Sequence, residues 1–245
     1  MRIDAKGIHY KELNRLIKDA FYNDKVDEFV LDGINGQRYI ADGLKGRVKI
    51  IINGVPGNDL AAFANGPEIT VNANGQDAIG NTMNAGKIII HGHAGDILGH
   101  AMRGGEVFVK GDVGYRVGIH MKSYQDMCPT IIAGGCAGDF LGEYMAGGRI
   151  IILGLNATED SELVGKYCGT GLHGGAIYIR GEVEKFKLGK EVGVMAMSPE
   201  EEKMIGRYVE EFCGYFGYEK EQVLAKGFTK LFPYSTRPYG KIYAY

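Results

Sequence analysis

NGVPGNDLAAFANGPEITV (residues 53–71), NANGQDAIGNTMNAGKIII (72–90) and HGHAGDILGHAMRGGEVFV (91–109) are consecutive lines of nineteen residues that align without a gap. Position nine holds Ala61, Gly80 and Gly99, position twelve Ala64, Met83 and Met102, and position fifteen Pro67, Gly86 and Gly105. Each line closes on an apolar or alternating run: Ile69-Thr70-Val71, Ile88-Ile89-Ile90, Val107-Phe108-Val109. A unit this short cannot enclose a core of its own. It reads as one turn of a solenoid, whose apolar face is buried only against the turns above and below.

The repeat continues after interruptions. KGDVGYRVG (110–118) opens a fourth line, which MKSYQDMCPT lengthens before Ile131-Ile132 closes it. GGCAGDFLGEYMAGGRIII (134–152) is a fifth, with Gly142, Met145 and Gly148 at positions nine, twelve and fifteen. A sixth begins near Leu153, takes the insertion ATEDSE and recovers at LHGGAIYI. A weaker, earlier line ends at Val48-Lys49-Ile50-Ile51-Ile52. The expected fold class is mainly β: a solenoid from about 43 to 183, with two or three short strands per coil. At a strand spacing of ~4.8 Å, six coils make a body roughly 30 Å long.

Glycine is the compositional outlier, with 39 of 245 residues, well above the usual ~7%. The glycines recur in register, so they read as turns and close approaches between coils rather than as a flexible linker. The net charge of −2 carries no basic stripe, which speaks against nucleic acid. No apolar run approaches the ~20 residues of a membrane helix, and MRIDAKGIHYKEL has no signal-peptide core. A soluble, cytoplasmic protein is expected. Cys128, Cys136, Cys168 and Cys213 show no CxxC spacing and are expected to be reduced.

The flanks differ from the repeat. YKELNRLIKDAF (10–21) has the spacing of a short amphipathic helix. FVLDG and QRYI read as two strand-like pieces around the Asn35-Gly36 turn signal. Residues 1–42 thus form an expected cap, because an open solenoid end exposes strand edges and core. In the region 184–245, Ser198-Pro199-Glu200-Glu201 is a helix start: a capping Ser, a Pro at the first helical position, and Glu three residues after the cap. A second short helix is expected near 220–225. The aromatic tail from Gly227 reads as extended and docked, on the solenoid or on a partner.

Candidate chemistry is sparse. Position six holds Asn58, Asp77, Asp96, Tyr115 and Asp139. Stacked carboxylates could bind a divalent cation or do acid–base work. The stronger reading is a structural turn ladder, in which each side chain accepts a backbone N–H of its own turn, since like charges at ~4.8 Å repel unless compensated. His91-Gly92-His93 puts two imidazoles near His100, but no third metal ligand has convincing spacing. The lengthened fourth coil brings Arg116, His120, Lys122 and Asp126 within eleven residues. Loops that break a repeat carry contacts, so these four are candidates for an interface or an anion contact, with internal ordering of the loop an equal reading. Glycine strings such as GHAGDILG lack the strand–turn–helix context of a dinucleotide or phosphate loop, and no G-x-S-x-G nucleophile signature is present.

The recurring G-x-x-G-x-x-M-x-x-G pattern resembles the GXGXG domain at the C-terminus of the glutamate synthase large subunit. GNTMNAGKIIIHGHAGD, AMRGGEVFVKGDVGYRVGIHMK and AGDFLGEYMAGGRIIILG carry the likeness, and IDAKGIHYKELN and FTKLFPYS resemble its flanking segments. The resemblance implies a single-stranded right-handed β-helix with helical caps and no catalytic, cofactor or metal-binding residues of its own. It implies partners: a glutamine amidotransferase-type subunit that releases ammonia, and a subunit bearing FMN and an iron–sulfur cluster that forms glutamate. This chain resembles the third part alone, as in a split oxidoreductase complex of ammonia assimilation. Self-association stays open.

Two other readings stand beside it. A subunit of formylmethanofuran dehydrogenase is a more distant likeness with the same coils, and would make this chain the scaffold of another redox complex. A molybdopterin subunit encoded nearby would favour that reading. A β-helix enzyme of carbohydrate or acyl transfer would instead use the Asp column.

Overall fold

The computed structural model of the chain describes residues 1–158 and 161–235. Strands β1 (Arg2–Asp4), β2 (Glu28–Asn35), β3 (Lys49–Val55), β4 (Asn65–Val71) and β5 (Ala85–Ile90) lie side by side in chain order. β6 (Glu106–Val109), β7 (Thr130–Ala133), β8 (Ala146–Ile152) and β9 (Gly174–Arg180) continue the sheet. Every neighbouring pair up to β9 is parallel. Parallel neighbours that are also consecutive, with no helix between β2 and β9, require the chain to travel once round a coil between strands. The fold is a β-solenoid.

Register explains the core. Ile50, Ile69, Ile88, Val107, Ile131, Ile150 and Ile177 sit one above another, and Ile52, Val71, Ile90, Val109, Ala133, Ile152 and Ile179 form a second column. Across the coil, Leu60, Ile79, Leu98, Val117 and Leu141 join them, with Met83, Met102, Met121 and Met145 as a methionine column. All of these side chains are buried. Each fully buried Ile or Met contributes roughly 1.5–3 kcal/mol from removal of apolar surface from water.

The residue between the two strand columns faces outward. It is Thr70 in β4, half-buried, but Ile89, Phe108, Ile132, Ile151 and Tyr178 in the later coils, all buried. The reason is α2 (Pro199–Phe216), which lays Ile205, Tyr208, Val209, Phe212 and Phe216 on that face. A strand covered on both faces reads as a continuous apolar run rather than an alternation, which is why RIII and EVFV look as they do. The Ser198 hydroxyl caps α2 by accepting the Glu201 N–H at 3.3 Å, and the Ser198 N–H donates to the Glu201 carboxylate at 2.9 Å. Lys87 fastens the other end, ion-paired with Glu211 and with Glu106 at 3.1 Å.

The flanks extend the sheet at both ends. α1 (Tyr10–Tyr22) buries Leu13, Ile17 and Ala20 in the same core as the first coils. β2 lies in register with β3, so stacking starts before residue 43. The QRYI segment is not a strand: Gln37 folds back, its amide donating to the Ala5 carbonyl at 2.9 Å, and Tyr39 takes a positive φ of 62°. α3 (Lys220–Leu224) follows α2. β10 (Val192–Met195) and β11 (Phe228–Pro233) then add antiparallel to the far edge, in the order β9-β11-β10. The described part of the aromatic tail is thus a strand, and residues 236–245 lie outside the described residues. Among the described residues, no helix is long and apolar enough to cross a membrane.

Each coil carries one named strand where two or three are expected. A second side survives as single bridges, Ala94 to Val113 to Ala137 to Val164. Beyond it the chain alternates into the left-handed region, at Ala78, Gly80 and Thr82 in one coil and Ile97, Gly99 and Ala101 in the next. A strand cannot form through such residues. Their hydrogen bonds are nonetheless made. The Ala78 and Thr82 N–H groups donate to Asp96 and His100 of the following coil, and the Gly80 N–H donates to Leu60 of the preceding one.

A Cβ at Gly95 would meet Asp77 Oδ1 at 2.1 Å, whereas one at Gly214, within α2, meets nothing within 4 Å. Gly95→Ala should lower stability by about 1–3 kcal/mol through overpacking, and Gly214→Ala should raise it by about 0.5–1 kcal/mol; urea titration reads both. Burial pushes the Glu211 carboxyl up, but hydrogen bonds from Lys87 and Tyr215 outweigh it and hold it below the usual 4.5. Its contribution is therefore present above that value and is lost as pH falls through the depressed folded value. Lys87→Met should cost about 1–3 kcal/mol at neutral pH and should flatten the acid limb of a stability-against-pH curve.

Candidate interaction surface

The acidic column is tied to backbone. Asn58 Oδ1 accepts the Asp77 N–H at 3.4 Å, Asp77 Oδ1 the Asp96 N–H at 2.9 Å, and Asp96 Oδ1 the Tyr115 N–H at 2.8 Å. Asp139 Oδ1 accepts the Lys166 N–H at 2.7 Å. The acceptor in each case serves the next coil, not its own turn. Gly95, Gly114 and Gly165 stand where a Cβ would meet these oxygens at 2.1, 2.1 and 2.2 Å. Gly95, Gly114 and Gly165 are thus the sockets for the Asp77, Asp96 and Asp139 carboxylates of the coil below.

A second ladder runs at position three. Asn74 Oδ1 accepts the His93 N–H at 3.0 Å, His93 Nδ1 accepts the Asp112 N–H at 2.9 Å, and Asp112 Oδ1 accepts the Cys136 N–H at 2.8 Å. His93 therefore stands in the ladder where the neighbouring coils have Asn74 and Asp112. His91 does not pair with it: its ring lies edge-on to Phe216 at 5.2 Å. Burial lowers the His91 pKa, and Lys110 adds to the effect. Among the described residues, no group of three or more His, Cys, Asp or Glu could hold a metal ion.

The left-handed positions seven and eleven make a distinct edge. In the second and third coils they hold Ala78, Thr82, Ile97 and Ala101; in the later ones they hold Arg116, His120, Phe140, Tyr144 and Tyr167, with φ between 51° and 62°. Bulky side chains there cost about 1 kcal/mol each against glycine. They are arranged in two stacks. Arg116 lies over the Phe140 ring at 4.4 Å, and Phe140 stacks on Tyr167 at 5.0 Å. His120 stacks on Tyr144 at 5.5 Å, with His100 at 6.1 Å on its other side. Burial lowers the His100 pKa, and His120 lowers it further. Gly171 leaves the space that Tyr144 fills, since a Cβ there would meet its ring at 2.4 Å. Arg116 is not free for an anion, because it pairs with Glu143, whose side chain is 9% exposed.

Comparison with known proteins places these coils. The model of the GXGXG motif family matches residues 27–236. The chain belongs to that family. An uncharacterized protein of Methanocaldococcus jannaschii is 48% identical over 248 residues, covering 98% of this chain and 95% of that protein. A chain in the crystal structure of the formyltransferase/hydrolase complex of Methylorubrum extorquens, determined with methylofuran, is similar in fold, with a TM-score of 0.65 and 21% identity. The match covers 83% of this chain and 72% of that one.

Within this GXGXG chain, Arg116 and His120 occupy the strained edge together. Lys122 and Asp126 are exposed on the excursion that lengthens the fourth coil, where Tyr124 and Met127 close a small antiparallel bridge. Glu143, at position ten and the partner of Arg116, escaped the sequence reading, as did Phe140, Tyr144 and Tyr167. Their signal is present, in bulky residues at positions seven and eleven, but it means nothing until those positions are known to be left-handed. Rigid aromatic and Arg side chains are the composition of protein-binding hot spots. Tyr167 is 55% exposed and Phe63, on the same edge, 54%.

The strain itself is testable. Phe140→Gly should be more stable than Phe140→Ala by about 1 kcal/mol, since both lose the stack with Tyr167, worth roughly 0.5–1.5 kcal/mol, and only Gly relieves the backbone. Equal denaturation midpoints would contradict the left-handed assignment.

Proposed function

We propose that this chain is the non-catalytic β-solenoid subunit of a split glutamate synthase-type complex. It positions a glutamine amidotransferase-type subunit and an FMN- and iron–sulfur-bearing subunit so that released ammonia reaches the site of glutamate formation. The family match over residues 27–236 and the near-full-length resemblance of its motifs support the reading. The observation that carries it is the aromatic edge of Arg116, His120, Phe140, Tyr144 and Tyr167, held rigid despite backbone strain. Strain of this kind persists where surrounding structure fixes it, often where a surface has a task. A pre-ordered aromatic edge loses little entropy on docking.

The residues of this chain do not fit an iron–sulfur cluster, which takes four converging thiolates. Cys168 is buried in the solenoid core, with its thiol pushed up to about 12 by burial, and Cys213 is on the buried face of α2. Cys128 and Cys136 are half-buried. The cofactors of the proposed complex belong to the partner subunit.

The second reading is a scaffold in an assembly that transfers formyl groups. The fold likeness to a chain of the formyltransferase/hydrolase complex supports it. Partner capture separates the two. Affinity purification of the tagged chain at native abundance is expected to recover amidotransferase-like and FMN-barrel proteins, and a Phe140→Gly/Tyr167→Gly variant should retain folding but recover roughly tenfold less. Recovery of formyl-transfer subunits would select the second reading, and recovery of neither set would sink both.

A further inference from the structure

On the outer face of the sheet, one column alternates in charge: Glu28, Lys49, Glu68, Lys87 and Glu106 pair in register. Lys49 and Lys87 each have an acidic rung on both sides. The column then changes. Glu106 is followed by Thr130, Thr130 by Arg149, and Arg149 by Ala176. Arg149 is thus a cation with no carboxylate on either neighbouring rung. Among the described residues it makes no ion pair.

Arg149 lines a cavity of about 480 Å³, between the last coils and the strands β10 and β11. The carboxylate lining that cavity is Glu201, and it is fully engaged. Its Oε1 accepts the Tyr178 hydroxyl at 2.8 Å and pairs with Lys230 at 2.6 Å, while its Oε2 accepts the Ser198 N–H at 2.9 Å. Burial, together with the Glu201 carboxylate, raises the Tyr178 pKa, so the phenol remains a donor. Lys230 is balanced by Glu201, which leaves Arg149 as the cation of this cavity without an ion pair among the described residues. Met195 and Phe232 supply an apolar wall. The volume is of the order of known small-ligand sites, roughly 300–1,000 Å³.

We propose that this cavity binds a small oxyanion, a carboxylate or a phosphate, on the Arg149 guanidinium. The planar fork of Arg donates two parallel N–H bonds to such a group. The wall of Met195 and Phe232 takes the hydrocarbon part when the ligand is an organic acid. The inference is independent of the partners proposed above, since it concerns only this chain and a free anion.

Cys128 lines the same cavity and serves as the reporter. Its alkylation rate, read by peptide mass spectrometry, is to be measured in the full chain at constant ionic strength with inorganic phosphate, acetate or benzoate added against chloride. Protection by phosphate, by the carboxylates or by both supports the site and names its ligand class, and preference for benzoate over acetate assigns the apolar wall. Arg149→Leu should weaken protection roughly tenfold or more, Arg149→Lys should fall between, and Arg103→Leu, an exposed arginine elsewhere, should leave it unchanged. If Arg149→Leu does not fold, the Arg149→Lys titration decides alone. Equal protection in wild type and Arg149 variants, or no protection beyond that of chloride, would overturn the proposal.

Discussion

Everything in this molecule depends on one coil's hydrogen-bonding groups reaching the next. Along the strands this is ordinary parallel pairing. Around the rest of the coil it is unusual, because the backbone is left-handed at alternate residues and sends its N–H groups up and down the stack in turn. Side chains complete the contact at positions three and six, where Asn, Asp and once His accept from the neighbouring coil. A buried or half-buried N–H left without a partner would cost about 1–3 kcal/mol, so every coil must present the same acceptors at the same height. That requirement holds the repeat at nineteen residues, and it is why insertions leave the ladders intact: Asp112 still meets Cys136 and Asp139 still meets Lys166, twenty-four and twenty-seven residues on.

The same constraint assigns the glycines. They are not simply flexible points. Gly95, Gly114 and Gly165 leave room for an oxygen of the coil below, Gly86 and Gly174 leave room for a neighbouring carbonyl, and Gly80 and Gly99 supply a left-handed φ. Where the left-handed position instead carries Phe140, Tyr144 or Tyr167, the fold bears a strain that glycine would remove. Stacking recovers part of it. The carboxylates that could have done acid–base work are occupied with backbone.

The two ends are closed by different means. α1 and β1 cover the first coils with a helix face and a short parallel strand, while β11 and β10 finish the far edge antiparallel. Reversal of strand direction ends the solenoid because an antiparallel strand needs no further coil to reach its partner. The same reversal creates the cavity beside Arg149, where the charge column of the sheet runs out of acidic rungs.

The amino-acid sequence by itself determined the solenoid, its period, the core columns and both long helices. Each rests on a local signal: a repeat in register, apolar triplets, a Ser-Pro-Glu-Glu cap. It also singled out Asn58, Asp77, Asp96 and Asp139 as turn acceptors, although it placed their partners in the wrong coil, since adjacent coils are invisible to a single line of sequence. Only the tertiary structure decided that one strand per coil is extended, that residues Phe228–Pro233 return as a strand, and that α2 covers Phe108 and Tyr178. It alone brought Arg116 onto Glu143 and Phe140, and left Arg149 without an ion pair among the described residues. Those facts depend on which residues become neighbours across coils of unequal length, and the chain folding back on itself sets those neighbours.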